Sequence, residues 1–205
     1  MTSAVSDPVQ PTAASPTAVK IVVAGGFGVG KTTMVGSVSE IPPLRTEEVM
    51  THADRTVDDL AGIEEETTTT VAVDVGRITL SSSLVLYLFG TPGQNRFWFL
   101  WDDLARGALG AVVLADTRRL DASLASVDFF LRRDMPFTVG VNCFFGRRDS
   151  APDAVRAALG LDASVPLLMC DARERRSSRE VLVTLVEHVM RTAARERLDH
   201  RRRIR

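Results

Sequence analysis

Residues 19–32 read VKIVVAGGFGVGKT, and this stretch decides the fold. Its first six residues form a short β-branched run that stops at glycines, as a buried central strand does before a turn. The next eight match G-x-x-x-x-G-K-[ST] at every fixed position, and residues 31–38 read as a helix. Strand, loop and helix together predict a phosphate-binding loop, because this context is the one that confirms the motif.

The residue types of the loop suit a polyphosphate ligand. Glycine carries no Cβ, so backbone amides can converge on phosphate oxygens, and the following helix presents its positive N-terminus to the same anion. We predict that Lys31 meets the β- and γ-phosphates and that the hydroxyl of Thr32 contacts Mg²⁺. The remaining predicted phosphate contacts are Gly25, Phe27, Gly28, Val29, Gly30, Thr33 and, from a later segment, Gly93.

Five more strand-like runs follow the loop, and most are separated by helical patterns. They cover residues 70–78, 84–89, 110–115, 136–141 and 165–169. Strands that alternate with helices imply crossover connections and a mainly parallel sheet. The sequence therefore predicts an α/β fold of the three-layer P-loop NTPase type, with a mainly parallel six-stranded sheet and helices on both faces.

Several local features refine this prediction. Residues 40–67 form a long acidic connection with a weak helical pattern around residues 46–52. Ser177 and Glu180 form a capping-box signature that would begin the last helix. Helical spacing predicts two apolar stripes, one of Leu120, Leu124, Val127 and Leu131 and one of Val181, Leu182, Leu185, Val186, Val189 and Met190.

Composition indicates the class of protein. The chain has 205 residues, 45% of them hydrophobic and 25% charged, which suits one globular domain. We expect a disordered tail over residues 1–17, the domain over 18–198 and a basic tail over 199–205. Lys and Arg number 25 against 26 Asp and Glu, so no global charge argues for nucleic acid.

The expected location is the cytoplasm. No signal peptide is evident, and no apolar run approaches the roughly 18 residues of a spanning helix. Cys143 and Cys170 are too few for a disulfide framework, so we interpret them as reduced packing cysteines. Residues 191–205 carry seven arginines against two acidic residues. The simplest interpretation is a solvated helix end, and the alternative is weak peripheral contact with anionic lipid or with an acidic partner.

The segment of residues 89–97, FGTPGQNRF, resembles the second switch of Ras-like GTPases, where D-x-x-G-Q precedes a polar, Arg, aromatic run. The resemblance implies that Gly93 senses the γ-phosphate and that Gln94 is the catalytic residue that orients the attacking water. Thr70 resembles the first-switch threonine that closes on Mg²⁺. The adjacent residues 67–69 are also threonines and compete for this role.

Over residues 19–191 the chain resembles bacterial Ras-like proteins related to MglA, and most closely the conservon-type GTPases of actinobacteria. Residues 89–99, 116–119 and 170–173 carry this resemblance. It implies GTP or GDP, with Mg²⁺, as ligands. It also implies two partners, a roadblock-fold regulatory protein and a sensor-kinase-like protein, through which the chain would associate with a membrane.

The sequence departs from the Ras-like pattern in the metal site and in the loop. Gly90 replaces the aspartate that begins D-x-x-G, and this loss should loosen Mg²⁺ binding. Phe27 is a bulky residue in the third place of the loop, where it should hinder alignment of the water. We therefore predict slow intrinsic hydrolysis, nearer to unassisted Ras at about 10⁻⁴ s⁻¹ than to a kinase.

A third departure concerns the base. Of the guanine-reading motif N-K-x-D only Asn142 survives, and Phe145 stands where the aspartate belongs. A site that loses its polar partners loses discrimination, so selectivity between guanine and adenine stays open. Asp149 or Asp171 would substitute only through loop rearrangement. The predicted base contacts are Asn142, Phe145, Asp171 and Ala172.

Residues 97–101, FWFLW, contain both tryptophans of the chain. In Ras-like folds this segment changes shape with the γ-phosphate, and exposed aromatic residues are favoured interface anchors. We expect Phe97 and Leu100 to face inward and Trp98 or Trp101 to face a partner.

These features are compatible with three functions. The leading hypothesis is a signalling switch that binds GTP and GDP and hydrolyses GTP slowly. The rival is a non-catalytic pseudo-GTPase that binds GTP or ATP and acts as a docking scaffold, which Gly90, Phe145 and Phe27 favour. A P-loop kinase of small molecules ranks last, because no arginine-rich lid is visible.

Overall fold

The structure is a computed structural model that describes residues 15–51, 68–93, 97–144 and 151–203. Within these ranges one sheet contains seven strands, in the spatial order β2-β3-β4-β1-β5-β6-β7. The strands are β1 (Thr17–Ala24), β2 (Leu44–Thr51), β3 (Thr68–Ser81), β4 (Leu84–Gly90), β5 (Gly110–Ala115), β6 (Phe137–Asn142) and β7 (Leu167–Cys170). The helices are α1 (Lys31–Val38), α2 (Phe99–Ala105), α3 (Asp121–Leu131), α4 (Pro152–Ala158) and α5 (Arg175–Arg203).

Most strand pairs are parallel, and the sheet separates two layers of helices. Strand β1 pairs in parallel with β4 and β5, and the parallel pairing continues through β6 to β7. Alternating residues of β1 serve the two faces, because side chains of a strand point to opposite sides. Ile21 and Val23 pack with α1 and α5, whereas Val22 and Ala24 pack with the helices on the other face. The predicted three-layer α/β fold class is confirmed.

The sheet has one strand more than the predicted six. Strand β2 forms where the sequence suggested weak helical character, and it pairs antiparallel with β3 from Leu44↔Val75 to Thr51↔Thr68. Strand β3 has 14 residues and offers β2 an edge for its backbone hydrogen bonds. The helical interpretation is therefore wrong over residues 46–51, because pairing with a distant strand outweighs a weak local pattern. Residue 52 lies outside the described residues.

The apolar stripe predicted for α3 is only partly correct. Val127 and Phe130 are buried, but Leu124 and Leu131 are 40% and 44% exposed. Ser123 is buried instead, and its hydroxyl approaches the Leu114 carbonyl at 3.4 Å. Small polar residues allow this helix to lie close to β5, and a search for large apolar residues misses such a face.

Helix α5 differs from its prediction at both ends. It begins at Arg175, so Ser177 lies inside its first turn, and the Ser177 hydroxyl accepts a hydrogen bond from the Asp171 amide. The predicted capping box is therefore wrong. The helix runs to Arg203 without the boundary expected at residue 199. Met190, which was predicted as part of the apolar stripe of this helix, is 67% exposed. No helix among the described residues is long and apolar enough to span a bilayer.

The aromatic segment after β4 packs mainly inward. Phe97 is buried, as predicted, but Trp101 is only 3% exposed and donates its indole N–H to the Pro92 carbonyl at 3.3 Å. Trp98 is half-buried and stacks on Trp101 with ring centroids 5.0 Å apart. Trp101 therefore cannot face a partner in this packing, and Phe99, at 45% exposed, is the most accessible ring of the segment.

Candidate nucleotide-binding site

The loop between β1 and α1 has a backbone that only glycine accommodates at two of its positions. Gly25 has φ 136° and Gly30 has φ 107°, both in the region that favours glycine. A Cβ on Gly25 would lie 2.4 Å from the Leu114 carbonyl oxygen, and one on Gly30 would lie 2.6 Å from Nδ2 of Asn142. The glycines thus let the loop fold tightly against the neighbouring strands.

The side chain of Lys31 is held against the loop by backbone carbonyl groups of the loop glycines. Its Nζ donates to the carbonyl of Gly25 at 2.9 Å and to that of Gly26 at 2.8 Å, and the residue is 8% exposed. Burial lowers the pKa of Lys31 to about 8, while the nearby carboxylate of Asp74 acts in the opposite direction. These two hydrogen bonds hold the ammonium group against the loop.

A carboxylate from β3 lies beside the loop threonine. The hydroxyl of Thr32 donates to Oδ2 of Asp74, which is 8% exposed and stands opposite Gly90 in the β3–β4 pairing. A Cβ on Gly90 would come within 3.3 Å of the Asp74 Cβ and 3.4 Å of its Oδ2. Asp74 thus uses the space that the missing side chain of Gly90 leaves.

The predicted loosening of the metal site stays a prediction, but Asp74 places a carboxylate beside Thr32. A hydroxyl and a carboxylate are hard oxygen donors of the kind that Mg²⁺ prefers, and Mg²⁺ commonly takes its other ligands from phosphates and water. Within the described residues no group of three or more His, Cys, Asp or Glu side chains could hold a metal alone. Thr32 and Asp74 therefore fit Mg²⁺ that arrives with a nucleotide.

Sequence reasoning missed Asp74. The available signal was that Asp74 is two residues from Gly76 in β3, so the two residues share one face of the strand. Gly76 is buried on that face. The predicted metal contact Thr70 lies elsewhere. It pairs with Val49 of β2, four residues before Asp74 and so about 13 Å along the strand. The structure does not bring Thr70 to Thr32, because β3 stays extended to pair with β2.

The segment after β4 approaches the loop at Gly93. A Cβ on Gly93 would lie 2.8 Å from Nζ of Lys31 and 2.8 Å from Cα of Phe27. Phe27 itself is 68% exposed. Obstruction of the attacking water by this ring stays a prediction. Gln94 lies outside the described residues.

Asn142, the last residue of β6, connects the loop after β1 with the loop after β7, on the side of the site where a base was predicted. Its Nδ2 donates to the Val29 carbonyl at 2.9 Å, and its Oδ1 accepts from the amide of Ala172 at 3.1 Å. Asp171 is next to Ala172, but its carboxylate accepts from Nε and Nη2 of Arg173 at 3.0 and 2.6 Å. Hydrogen bonding to Arg173 holds the pKa of Asp171 below its usual range. Phe145 and Asp149 lie outside the described residues.

The other predicted phosphate contacts differ in exposure. Val29 is buried, whereas Gly28, Thr32 and Thr33 are exposed. The two cysteines at the rim are buried, and the Cys143 amide donates to the Cys170 carbonyl at 2.7 Å. Burial raises the pKa of the Cys170 thiol to about 12. This environment fits packing residues, because an unreactive thiol is the neutral one.

The fold and the loop define a class, namely a nucleotide-binding P-loop protein with a G-domain fold. The sequence model of one particular family, described as "conserved hypothetical ATP binding protein", matches residues 23–192 of this chain. The chain belongs to this family. It is also 31% identical over 101 residues to the uncharacterized protein MJ1339 of Methanocaldococcus jannaschii, and the match covers 49% of this chain and 53% of that protein. The chain therefore matches about half the length of this curated relative.

Solved structures share the fold. The cytosolic domain of the T. maritima FeoB iron transporter in a GDP form superposes with a TM-score of 0.59 at 16% identity, over 85% of this chain and 64% of that one. Its GMPPNP form superposes with a TM-score of 0.59 at 16% sequence identity, over 83% of this chain and 64% of that one. The FeoB G-domain of Methanococcus jannaschii superposes with a TM-score of 0.54 at 13% sequence identity, over 84% of this chain and 98% of that one. At these identities the likeness establishes the fold alone.

Proposed function

We propose that this chain is a signalling switch that binds GTP and GDP with Mg²⁺ and hydrolyses GTP slowly. One observation carries the proposal. Gly93, from the segment after β4, lies against both Lys31 and the backbone of Phe27. A terminal phosphate on Lys31 would therefore be in contact with a segment that leads directly into the aromatic residues 97–101.

Each residue of the site has a separate role in the proposed hydrolysis of GTP. Loop amides and Lys31 hold the β- and γ-phosphates, and Thr32 with Asp74 would hold Mg²⁺, which neutralises phosphate charge when bound. A water molecule attacks the γ-phosphorus, and the bond from phosphorus to the β–γ bridging oxygen breaks. The products are GDP and hydrogen phosphate, and one proton leaves to solvent. Gln94 orients this water in the proposed scheme.

The coupling to a partner surface runs through Pro92. Its carbonyl accepts from the indole of Trp101, and Trp101 stacks on Trp98. A shift of the backbone at Gly93 would therefore move a packed aromatic cluster. We infer that partners recognise the surface around Phe99, which is the most exposed ring of residues 97–101.

Guanine is the proposed base. The FeoB structures that share this fold were solved in GDP and GMPPNP forms. The rival proposal is a pseudo-GTPase that binds ATP or GTP without turnover. It is supported by the family description, which names ATP, and by Asp171, whose carboxylate is occupied by Arg173.

By its resemblance to conservon-type proteins, we propose a roadblock-fold regulatory protein and a sensor-kinase-like protein as partners. The proposed location is the cytoplasm. The arginines at the end of α5 would add weak attraction to anionic lipid.

Titration with fluorescent GDP, GTP and ATP, followed by phosphate-release kinetics with and without the roadblock-type partner, tests the proposal. Selective binding of guanine nucleotides with partner-stimulated release supports the switch. Unselective binding without release under either condition supports the pseudo-GTPase and overturns the switch.

A further inference from the structure

An arginine outside the loop reaches its backbone. Arg119 lies four residues after the end of β5, and its Nη2 donates to the carbonyl of Phe27 at 3.1 Å. The same nitrogen is 3.6 Å from the position that a Cβ on Gly28 would occupy. The guanidinium group therefore lies on the third and fourth residues of the phosphate-binding loop.

Arg119 is not the main partner of the nearby carboxylate. Asp116 is buried, and Arg118 binds it through Nε at 2.8 Å and Nη2 at 2.7 Å, with a backbone bond at 3.0 Å. Arg119 comes only to 3.9 Å from the same carboxylate, and 55% of its side chain is exposed. A guanidinium has five N–H donors, so the bond to Phe27 leaves most of them able to bind an anion.

We propose that Arg119 contacts the terminal phosphates of a bound nucleoside triphosphate and is a catalytic residue supplied in cis. This inference rests on the proposed function, since it assumes that the loop binds a triphosphate. Phe27, whose carbonyl Arg119 binds, is also the residue whose backbone Gly93 contacts. Arg119 and Gly93 thus meet at the part of the loop where the γ-phosphate is expected.

The chemistry explains why an arginine suits this place. As the bond to the bridging oxygen breaks, negative charge grows on that oxygen and spreads over the γ-phosphoryl oxygens. Arginine stays charged at every relevant pH and offers a planar fork that matches phosphate oxygens. A group already hydrogen-bonded to the loop needs little reorganisation when the charge develops.

A purely structural role makes different predictions. If Arg119 only braces the loop through Phe27, its removal should weaken diphosphate and triphosphate binding equally. If Arg119 contacts the terminal phosphate, its removal should spare the diphosphate. The adjacent Arg118 is a matched control, because Arg118→Ala removes the same charge and breaks the stronger contact with Asp116.

The experiment compares the wild-type chain, Arg119→Ala, Arg119→Lys and Arg118→Ala. Three quantities are measured with Mg²⁺ present: affinity for GDP, affinity for GMPPNP, and trapping of GDP with aluminium fluoride, which mimics the transferring phosphoryl group. Single-turnover GTP hydrolysis is measured alongside. Circular dichroism and thermal unfolding confirm that each variant is folded.

We expect Arg119→Ala to keep GDP affinity within about twofold, to lose GMPPNP affinity and to abolish the fluoride trap. Hydrolysis should slow at least about tenfold, which is a smaller effect than the roughly 10³- to 10⁵-fold of arginines that act in partner-stimulated phosphoryl transfer. Arg119→Lys should recover the GMPPNP affinity but little of the rate. Arg118→Ala should leave the ratio of the two affinities unchanged. Equal loss of both affinities, absence of the trap in wild type, or identical behaviour of Arg119→Ala and wild type overturns the proposal. If wild type binds no nucleotide, the proposed function itself fails.

Discussion

Asp74→Asn is the change that most sharply examines the metal site. The asparagine keeps the size of the side chain and removes the negative charge beside Thr32. If Asp74 holds Mg²⁺ through a water molecule of the metal's shell, the bond that the variant weakens is a hydrogen bond to a charged group, which contributes about 1.5–3 kcal/mol. Since 1.4 kcal/mol corresponds to a factor of ten, Mg²⁺ should bind the nucleotide complex about 10- to 150-fold more weakly.

The assay is the rate of release of fluorescent GDP as a function of free Mg²⁺. In the wild type, release should slow steeply as Mg²⁺ rises, and in Asp74→Asn the same slowing should need much higher Mg²⁺. Thermal unfolding without nucleotide is the control for stability, because Asp74 also supports the charge of Lys31. If both proteins respond to the same Mg²⁺ concentration within twofold, Asp74 does not hold the metal.

The β3–β4 pairing also offers a rescue. Gly90→Asp alone should destabilise the protein, since its Cβ would crowd that of Asp74 at 3.3 Å. The exchange variant Asp74→Gly with Gly90→Asp relieves this contact and returns one carboxylate to the same space. We expect the exchange to recover part of the Mg²⁺ response that Asp74→Gly lacks. A failure of the exchange in a folded protein would mean that the carboxylate must come from β3.

Three further predictions concern groups around the loop. Because burial lowers the pKa of Lys31 to about 8, its charge is present below pH 8 and lost above it. GTP affinity, measured by fluorescence titration, should therefore fall by up to about tenfold per pH unit above about pH 8. Lys31→Met should remove this pH dependence. Asn142→Ala breaks two buried hydrogen bonds and should lower the free energy of unfolding by about 1–3 kcal/mol in urea denaturation; an unchanged midpoint would refute its connecting role. Cys143 and Cys170 should react with a thiol reagent at neutral pH far more slowly than after unfolding, and equal rates would contradict their burial.

Local patterns predicted the parts of the fold that depend on local chemistry. The loop of residues 25–32 requires glycines, a lysine and a hydroxyl at fixed spacing, so its sequence and its place after a strand were sufficient. The central strands were equally readable, because β-branched runs buried on both faces have a strong signature. The burial of the two cysteines also agrees with their interpretation as packing residues.

The missed features depend on contacts between distant segments. Strand β2 exists because β3 provides an edge for it, and no pattern within residues 44–51 states this. Asp74 reaches Thr32 only because the β3–β4 register places it opposite Gly90. Arg119 meets Phe27 through the order of β1 and β5 in the sheet. Register and strand order cannot be read from spacing, so the sequence showed a missing carboxylate but not its replacement.

The central claim is that the loop after β1 binds a nucleotide through its phosphates. Its most direct test is the affinity of wild type and Lys31→Met for fluorescent GTP and GDP, measured side by side with both proteins shown to be folded. Losing two charge-assisted bonds of about 1.5 kcal/mol each predicts binding at least about 100-fold weaker in the variant. Equal affinity in the two proteins, or no binding by wild type, would contradict the account.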